Sequence, residues 1–348
     1  MYKILSRKFP TENYPPVLFH LLYLMAAFTF CFIYHHKVVS TSDFYNDEYG
    51  AILKVLNMEA IRSIQYRILV PVIFKILSLP HLLPDKAVFF IIMFGFTYLT
   101  QIAFYRLLCV YFVNRDFNYI AALFIVYPMI WNFVAINSIF FFVDCAVIFF
   151  VVLCLYLIVT KKNNWLLLAF FLGAANHYSI GFIIPVFLLY NYNRLFNRDT
   201  ITYSVIMAAL LVGYFAALKL IFPNLPETRD DGFVAWYLDA AWQAIVNYKK
   251  HLLIRDILVN MGGLHFFALL YFFSGAWKKM KGQFVTVYLI AIPFILFALF
   301  RFGIRIEEMR NFIPLIPFVI IPAMLYISRF SGEMLKISPD VMRNSKCE

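Results

Sequence analysis

The sequence predicts an all-α polytopic membrane protein with about 10 transmembrane helices, and three observations lead there. Of 348 residues, 63% are hydrophobic and only 14% charged, with a mean hydropathy of +0.78, far above what a water-soluble globule needs. Apolar runs long enough to cross or enter a bilayer recur into the last quarter of the chain. The excess of basic over acidic residues between the runs falls almost wholly on one side once the spans are drawn. The net charge of +11 is therefore read as a topology signal, and no nucleic-acid partner is expected.

In order, the spans are expected near 17–34, 87–111, 119–135, 140–160, 165–176, 179–190, 201–220, 257–275, 284–300 and 313–327. Lys3, Arg7 and Lys8 precede the first run. It ends in Phe32-Ile33-Tyr34-His35-His36 with no small-residue cleavage pattern, so it reads as a span and not a signal peptide. Placing both termini in the cytoplasm puts Lys161, Lys162, Lys278 and Lys279 inside. The chain then reads as one transmembrane domain, 1–348. It has an external loop at 36–86, an external amphipathic loop at 222–256 and a cytoplasmic tail at 328–348. The 222–256 loop carries Trp236, Ala240, Ala244 and Tyr248 at helical spacing, a pattern for an interfacial helix. The five cysteines suit neither a disulfide framework nor a metal knuckle, and no phosphate-loop, dinucleotide or zinc-protease motif occurs.

The first external loop carries the best candidate chemistry. Asp43, Asp47 and Glu48 precede a helical pattern of Tyr49, Ile52, Leu53 and Leu56. A second pattern follows, with Ile68, Leu69, Val72, Ile73, Ile76 and Leu77 as an apolar stripe and Arg67, Pro71 and Lys75 on another side. At roughly 12 residues it reaches about 18 Å, too short to cross a core of about 30 Å, and reads as a helix on the membrane surface.

Three other positions stand out. Asp144, following Phe140-Phe141-Phe142-Val143, puts a carboxylate inside a span, where it either lines a pocket or pairs with Arg106 or Lys219. Asn176-His177-Tyr178-Ser179 breaks an apolar run at an outward turn, where His177 either meets a ligand or satisfies backbone groups. Arg301, Arg305, Glu307, Glu308 and Arg310 stand before the last span. The arginines there either bind phosphate oxygens with their fork of donors or pair with the two glutamates.

Together, the first-loop acidic pair, the YRxLxP surface helix, the second acid at Asp144, the paired short spans and the ExR…P…P final span resemble the GT-C class of integral-membrane glycosyltransferases. The order is most similar to the protein-mannosyltransferase and aminoarabinose-transferase-like branch. The resemblance implies a GT-C-like fold with juxtamembrane helices in the first external loop. It also implies a sugar donor carried on a polyprenyl phosphate and an active site on the non-cytoplasmic face. Asp47 matches the general base, with Glu48 in reserve. Arg67, His177, Arg305 and Arg310 are expected at the donor phosphate, and Asp43 and Asp144 at the acceptor or sugar pocket. The turn at His177 departs from the basic residue that relatives place there.

The implied acceptor is a lipid, glycan or protein in a cell envelope, reached from a bacterial-type inner membrane among its lipids. No cofactor is expected. The acids of the first loop leave a divalent metal open, but no ligand set is visible. Two roles fit Asp47 itself, general base and helix N-cap. A transporter or flippase, with Arg106, Asp144 and Lys219 marking a pathway, is the alternative of a different class, and a polysaccharide polymerase or ligase is the nearer one.

Overall fold

The computed structural model describes residues 16–40, 52–57, 59–60, 65–112, 114–134, 142–223, 263–275 and 314–327. Every regular element among them is helical. The first helix, α1 (Pro16–Tyr34), runs on through a π-helical turn, His35–Val39. A single helical turn, α2 (Ile52–Leu56), and the short helix α3 (Leu69–Ser78) follow. Next come the long α4 (Asp85–Tyr111) and a broken segment of α5 (Arg115–Leu123), α6 (Val126–Met129) and a π-helical turn, Ile130–Val134. Then α7 (Phe142–Val159) and α8 (Asn163–Asn176) precede a 3-10 turn, Tyr178–Phe182, which leads into α9 (Ile183–Tyr190). After α10 (Arg198–Ile221), the described helices end with α11 (Leu264–Phe273) and α12 (Ile316–Ile327).

Four helical segments are long and apolar enough to cross a membrane: Pro16–Val39, Asp85–Tyr111, Arg115–Val134 and Arg198–Ile221. Their surfaces fit lipid on one side and protein on the other. On α1, Val17, Leu21, Met25, Phe28 and Phe32 are exposed at helical spacing, while Phe19, Tyr23, Ala27, Phe30 and Tyr34 are buried. Both faces are apolar, the pattern of a helix with hydrocarbon as its outer solvent.

Aromatic contacts fix how the segments run. Tyr119 of α5 stacks on Phe19 of α1 at 4.1 Å and on Tyr105 of α4 at 4.0 Å, and its carbonyl accepts a 3.0 Å bond from Tyr23 Oη. That bond satisfies a hydroxyl that would otherwise be costly to bury. At the other end of α1, Tyr34 meets Phe89 at the start of α4 and Phe133 at the end of the broken segment. So α1 and the 115–134 segment run parallel to each other and antiparallel to α4.

Local chemistry explains where these elements start and break. Asn114 Oδ1 accepts from the Phe117 amide at 3.0 Å, so the segment expected at 119–135 begins instead at Arg115. Pro128 has no N–H to offer the Phe124 carbonyl, which accepts from Tyr127 at 3.3 Å instead, and the helix breaks there. The 165–176 and 179–190 expectations correspond to α8 and to the Tyr178–Tyr190 unit. At 14 residues, α8 spans only about 21 Å.

Gly173 is the close approach that lets these two short pieces fold together. A Cβ there would meet Ile180 Cγ1 at 2.9 Å and Phe150 Cβ at 3.1 Å, whereas one on Gly213 would meet nothing within 4 Å. Gly173→Ala is expected to destabilise the fold by about 1–3 kcal/mol through overpacking, and Gly213→Ala to be neutral or slightly stabilising. Paired thermal unfolding curves in detergent check this.

The apolar stripe of α3 divides between bundle and exterior. Val70, Pro71 and Phe74 are buried, Leu69 and Ile73 of the stripe are half-buried against the core, and Val72, Ile76 and Leu77 are exposed. Lipid accepts aliphatic side chains as readily as protein does, so the stripe's exposed residues need no protein cover.

Candidate functional site

The bundle has two ends. At one, which we call the Lys161 end, lie the start of α8 and the start of α10, joined by a 2.8 Å bond from Tyr203 Oη to Asn164 Oδ1. The other, the His177 end, holds the start of α7 and the end of α8. Three of the sequence-predicted residues gather there, drawn together by bonds from side chains to backbone carbonyls.

His177 leaves the helix with extended backbone, φ −161° and ψ 137°, which ends α8. The preceding Asn176, fully buried, donates from Nδ2 to the Val143 carbonyl at 2.9 Å, pinning the turn to the start of α7 beside Asp144. Tyr214 of α10 then bridges two segments. Its hydroxyl lies 2.9 Å from the Tyr66 carbonyl and 3.3 Å from the Ala175 carbonyl, tying the residue before Arg67 to the residues before His177. Gln65 holds the same strand of chain from the other side, donating to the Val55 carbonyl at 2.7 Å and accepting from the Ala60 amide at 3.3 Å.

Arg67 and Asp144 face each other as a result. Nη1 lies 4.0 Å from Oδ1, and the side chains are only 15% and 8% exposed. The partners considered for Asp144 from sequence, Arg106 and Lys219, are both exposed, so Arg67 takes that place. The pairing has a clear physical cause, because a carboxylate and a guanidinium withdrawn from water are each costly unless they neutralise one another.

His177 is 8% exposed, and its Nδ1 lies 3.1 Å from the Ser179 amide and 2.7 Å from Ser179 Oγ. Accepting the amide proton at Nδ1 places the ring proton on Nε2. The ring thus caps the 3-10 turn, the backbone-satisfying role weighed for it, and presents Nε2 as a donor. Two further buried atoms, Tyr66 Oη and Asn176 Oδ1, have no hydrogen-bond partner among the described residues. Such orphans are rare in folded proteins.

The cluster is recessed. Tyr214, which reaches Ala175, stands seven residues before the last residue of α10, so that helix continues about 10 Å beyond the level of the turn. Arg67, Asp144 and His177 therefore lie inside the depth spanned by the long helices. Asp43, Asp47, Glu48, Arg305 and Arg310 lie outside the described residues, as do Trp236, Ala240, Ala244 and Tyr248 of the expected interfacial helix.

Sequence reasoning missed Tyr214 and Gln65 and noted Asn176 only as part of the polar break, yet all three position the cluster. The signal for Tyr214 is a bond-forming side chain in an apolar context, where it needs a partner. No group of three or more His, Cys, Asp or Glu able to hold a metal occurs among the described residues. No family model matches this sequence, and no characterised protein or solved structure is significantly similar to it.

Proposed function

We propose that the chain is a membrane glycosyltransferase of the GT-C type, with about ten spans. It moves a sugar from a polyprenyl-phosphate donor to a lipid, glycan or protein acceptor on the non-cytoplasmic face. The observation that carries this reading is the recessed convergence of Arg67, Asp144 and His177 at one end of the bundle. A guanidinium oriented by a carboxylate, with an imidazole N–H on the neighbouring turn, is a donor set for the phosphate that departs when the anomeric carbon is attacked. The orphaned Tyr66 Oη and Asn176 Oδ1 are the kind of groups that sugar hydroxyls would satisfy.

Chain connectivity supports the remaining assignments. Asp47 precedes Ile52 by five residues, and Val55 of that same turn is bonded to Gln65, two residues before Arg67. Arg310 precedes Pro314 by four residues, hence lies within about 14 Å of it. Phe318, just beyond, packs against Phe182 of the turn that His177 caps, with ring centroids 5.8 Å apart. In this reading Asp47 removes the acceptor proton, Glu48 stands by, Arg305 and Arg310 join Arg67 and His177 at the phosphate, and Asp43 and Asp144 border the sugar. Purified protein incubated with a panel of polyprenyl-phosphate sugars is expected to transfer or hydrolyse at least one. Turnover of none, with a folded protein in lipid, would overturn the assignment.

A further inference from the structure

The Lys161 end carries a second site, unrelated to the cluster above. Between α7, α8 and α10 lies an open hollow of about 390 Å³ lined by Lys161, Lys162, Asn163, Asn164, Trp165 and Tyr203. Its polar wall is built, since Tyr203 Oη lies 2.8 Å from Asn164 Oδ1 across the two helices. Lys162 Nζ lies 5.7 Å from the ring centroid of Tyr156, which steadies one cation at the rim.

The backbone of Lys161 is unusual. Its amide donates to the Ile158 carbonyl at 3.1 Å and that of Lys162 to the Leu157 carbonyl at 2.9 Å, the pair of bonds that closes a helix with a left-handed residue. Lys161 occupies that left-handed position at φ +56°, where glycine is the usual residue. A lysine there costs conformational energy, so its charge is the gain to look for.

Below the hollow the surface is greasy. Trp165, Leu168 and Phe171 are exposed in a stripe along α8, running from the hollow's own Trp165. A cationic hollow above an apolar track fits an amphiphile, with a phosphate between the lysines and an acyl chain along α8. A free anion would use only the upper half. The excess of basic residues assigns this end to the cytoplasmic side.

We propose that this hollow binds the phosphate headgroup of an anionic phospholipid in the cytoplasmic leaflet. The test is native mass spectrometry of the full chain, with phosphatidylglycerol titrated against a phosphatidylcholine background. Wild type is expected to retain one anionic lipid, and Lys161→Gly/Lys162→Gln to bind it at least about tenfold more weakly, each cation near a lipid surface contributing severalfold. Lys161→Gly alone is expected to raise the thermal midpoint in detergent while weakening lipid binding, so a loss of affinity is not a loss of fold. Lys162→Gln, which leaves the backbone turn alone, supplies the same comparison if the glycine variant folds poorly. Equal retention by wild type and the double variant would overturn the proposal. So would displacement of the lipid by millimolar inorganic phosphate, which would assign the hollow to a free anion.

Discussion

Asp144→Ala is expected to destabilise the folded chain by about 3–5 kcal/mol, the usual cost of removing one partner of a buried ion pair. The Arg67 side chain is 15% exposed and the Asp144 side chain 8%, so removal of the carboxylate leaves a guanidinium with little access to water. The loss should appear as a lower thermal midpoint in detergent and a lower yield of folded protein. Asp144→Asn should cost less, because the amide oxygen still accepts a hydrogen bond. The double variant Arg67→Met/Asp144→Leu should recover most of the stability, since apolar side chains replace a buried pair without penalty in many proteins. If the pair also serves the proposed chemistry, that recovered fold will be inactive. A folded double variant with full transfer activity would make the pair purely structural, and an Asp144→Ala variant that melts like wild type would remove it from both roles.

Asp47→Asn is expected to reduce sugar transfer by about 10²- to 10⁴-fold while leaving the thermal midpoint within experimental scatter of wild type. The change separates the two roles that fit this position. Asparagine caps a helix about as well as aspartate, so a residue needed only for capping tolerates it. A general base does not, because the amide cannot take a proton from the acceptor hydroxyl. Transfer assayed with the donor found in the panel experiment decides between them. Retained activity in Asp47→Asn, with activity lost in Glu48→Gln, would move the base by one residue. Retained activity in both would end the acid–base reading of the first loop.

Much of the bundle was legible in the chain because a bilayer leaves few choices. With no water to satisfy peptide groups, an apolar run must form a helix, so the runs at 17–34, 87–111 and 201–220 correspond to α1, α4 and α10 within a few residues. The boundaries moved where a polar side chain caught a free amide, as Asn114 did for α5 and Asn197 for α10, accepting from Asp199 at 2.9 Å. The turn at His177 was legible for a related reason, since an amide, an imidazole and two hydroxyls interrupt an otherwise unbroken apolar stretch.

The sequence left the facing of α3 open. Periodicity locates a stripe, but in a membrane protein the stripe meets lipid as comfortably as core, and here it does both. For the same reason the buried residues of α3 include Pro71, on the side that looked polar.

By itself the sequence determined that this chain is a helical membrane protein, where most of its described helices lie and which few polar residues stand in apolar surroundings, because those follow from local hydropathy. Only the tertiary structure decided that Asp144 faces Arg67, 77 positions earlier, and not Arg106 or Lys219. Three other bonds brought that about: Tyr214 to Tyr66, Asn176 to Val143 and Gln65 to Val55. Charge alone makes every cation an eligible partner for a buried acid. The geometry of helices held at fixed depth brings Arg67 to this one.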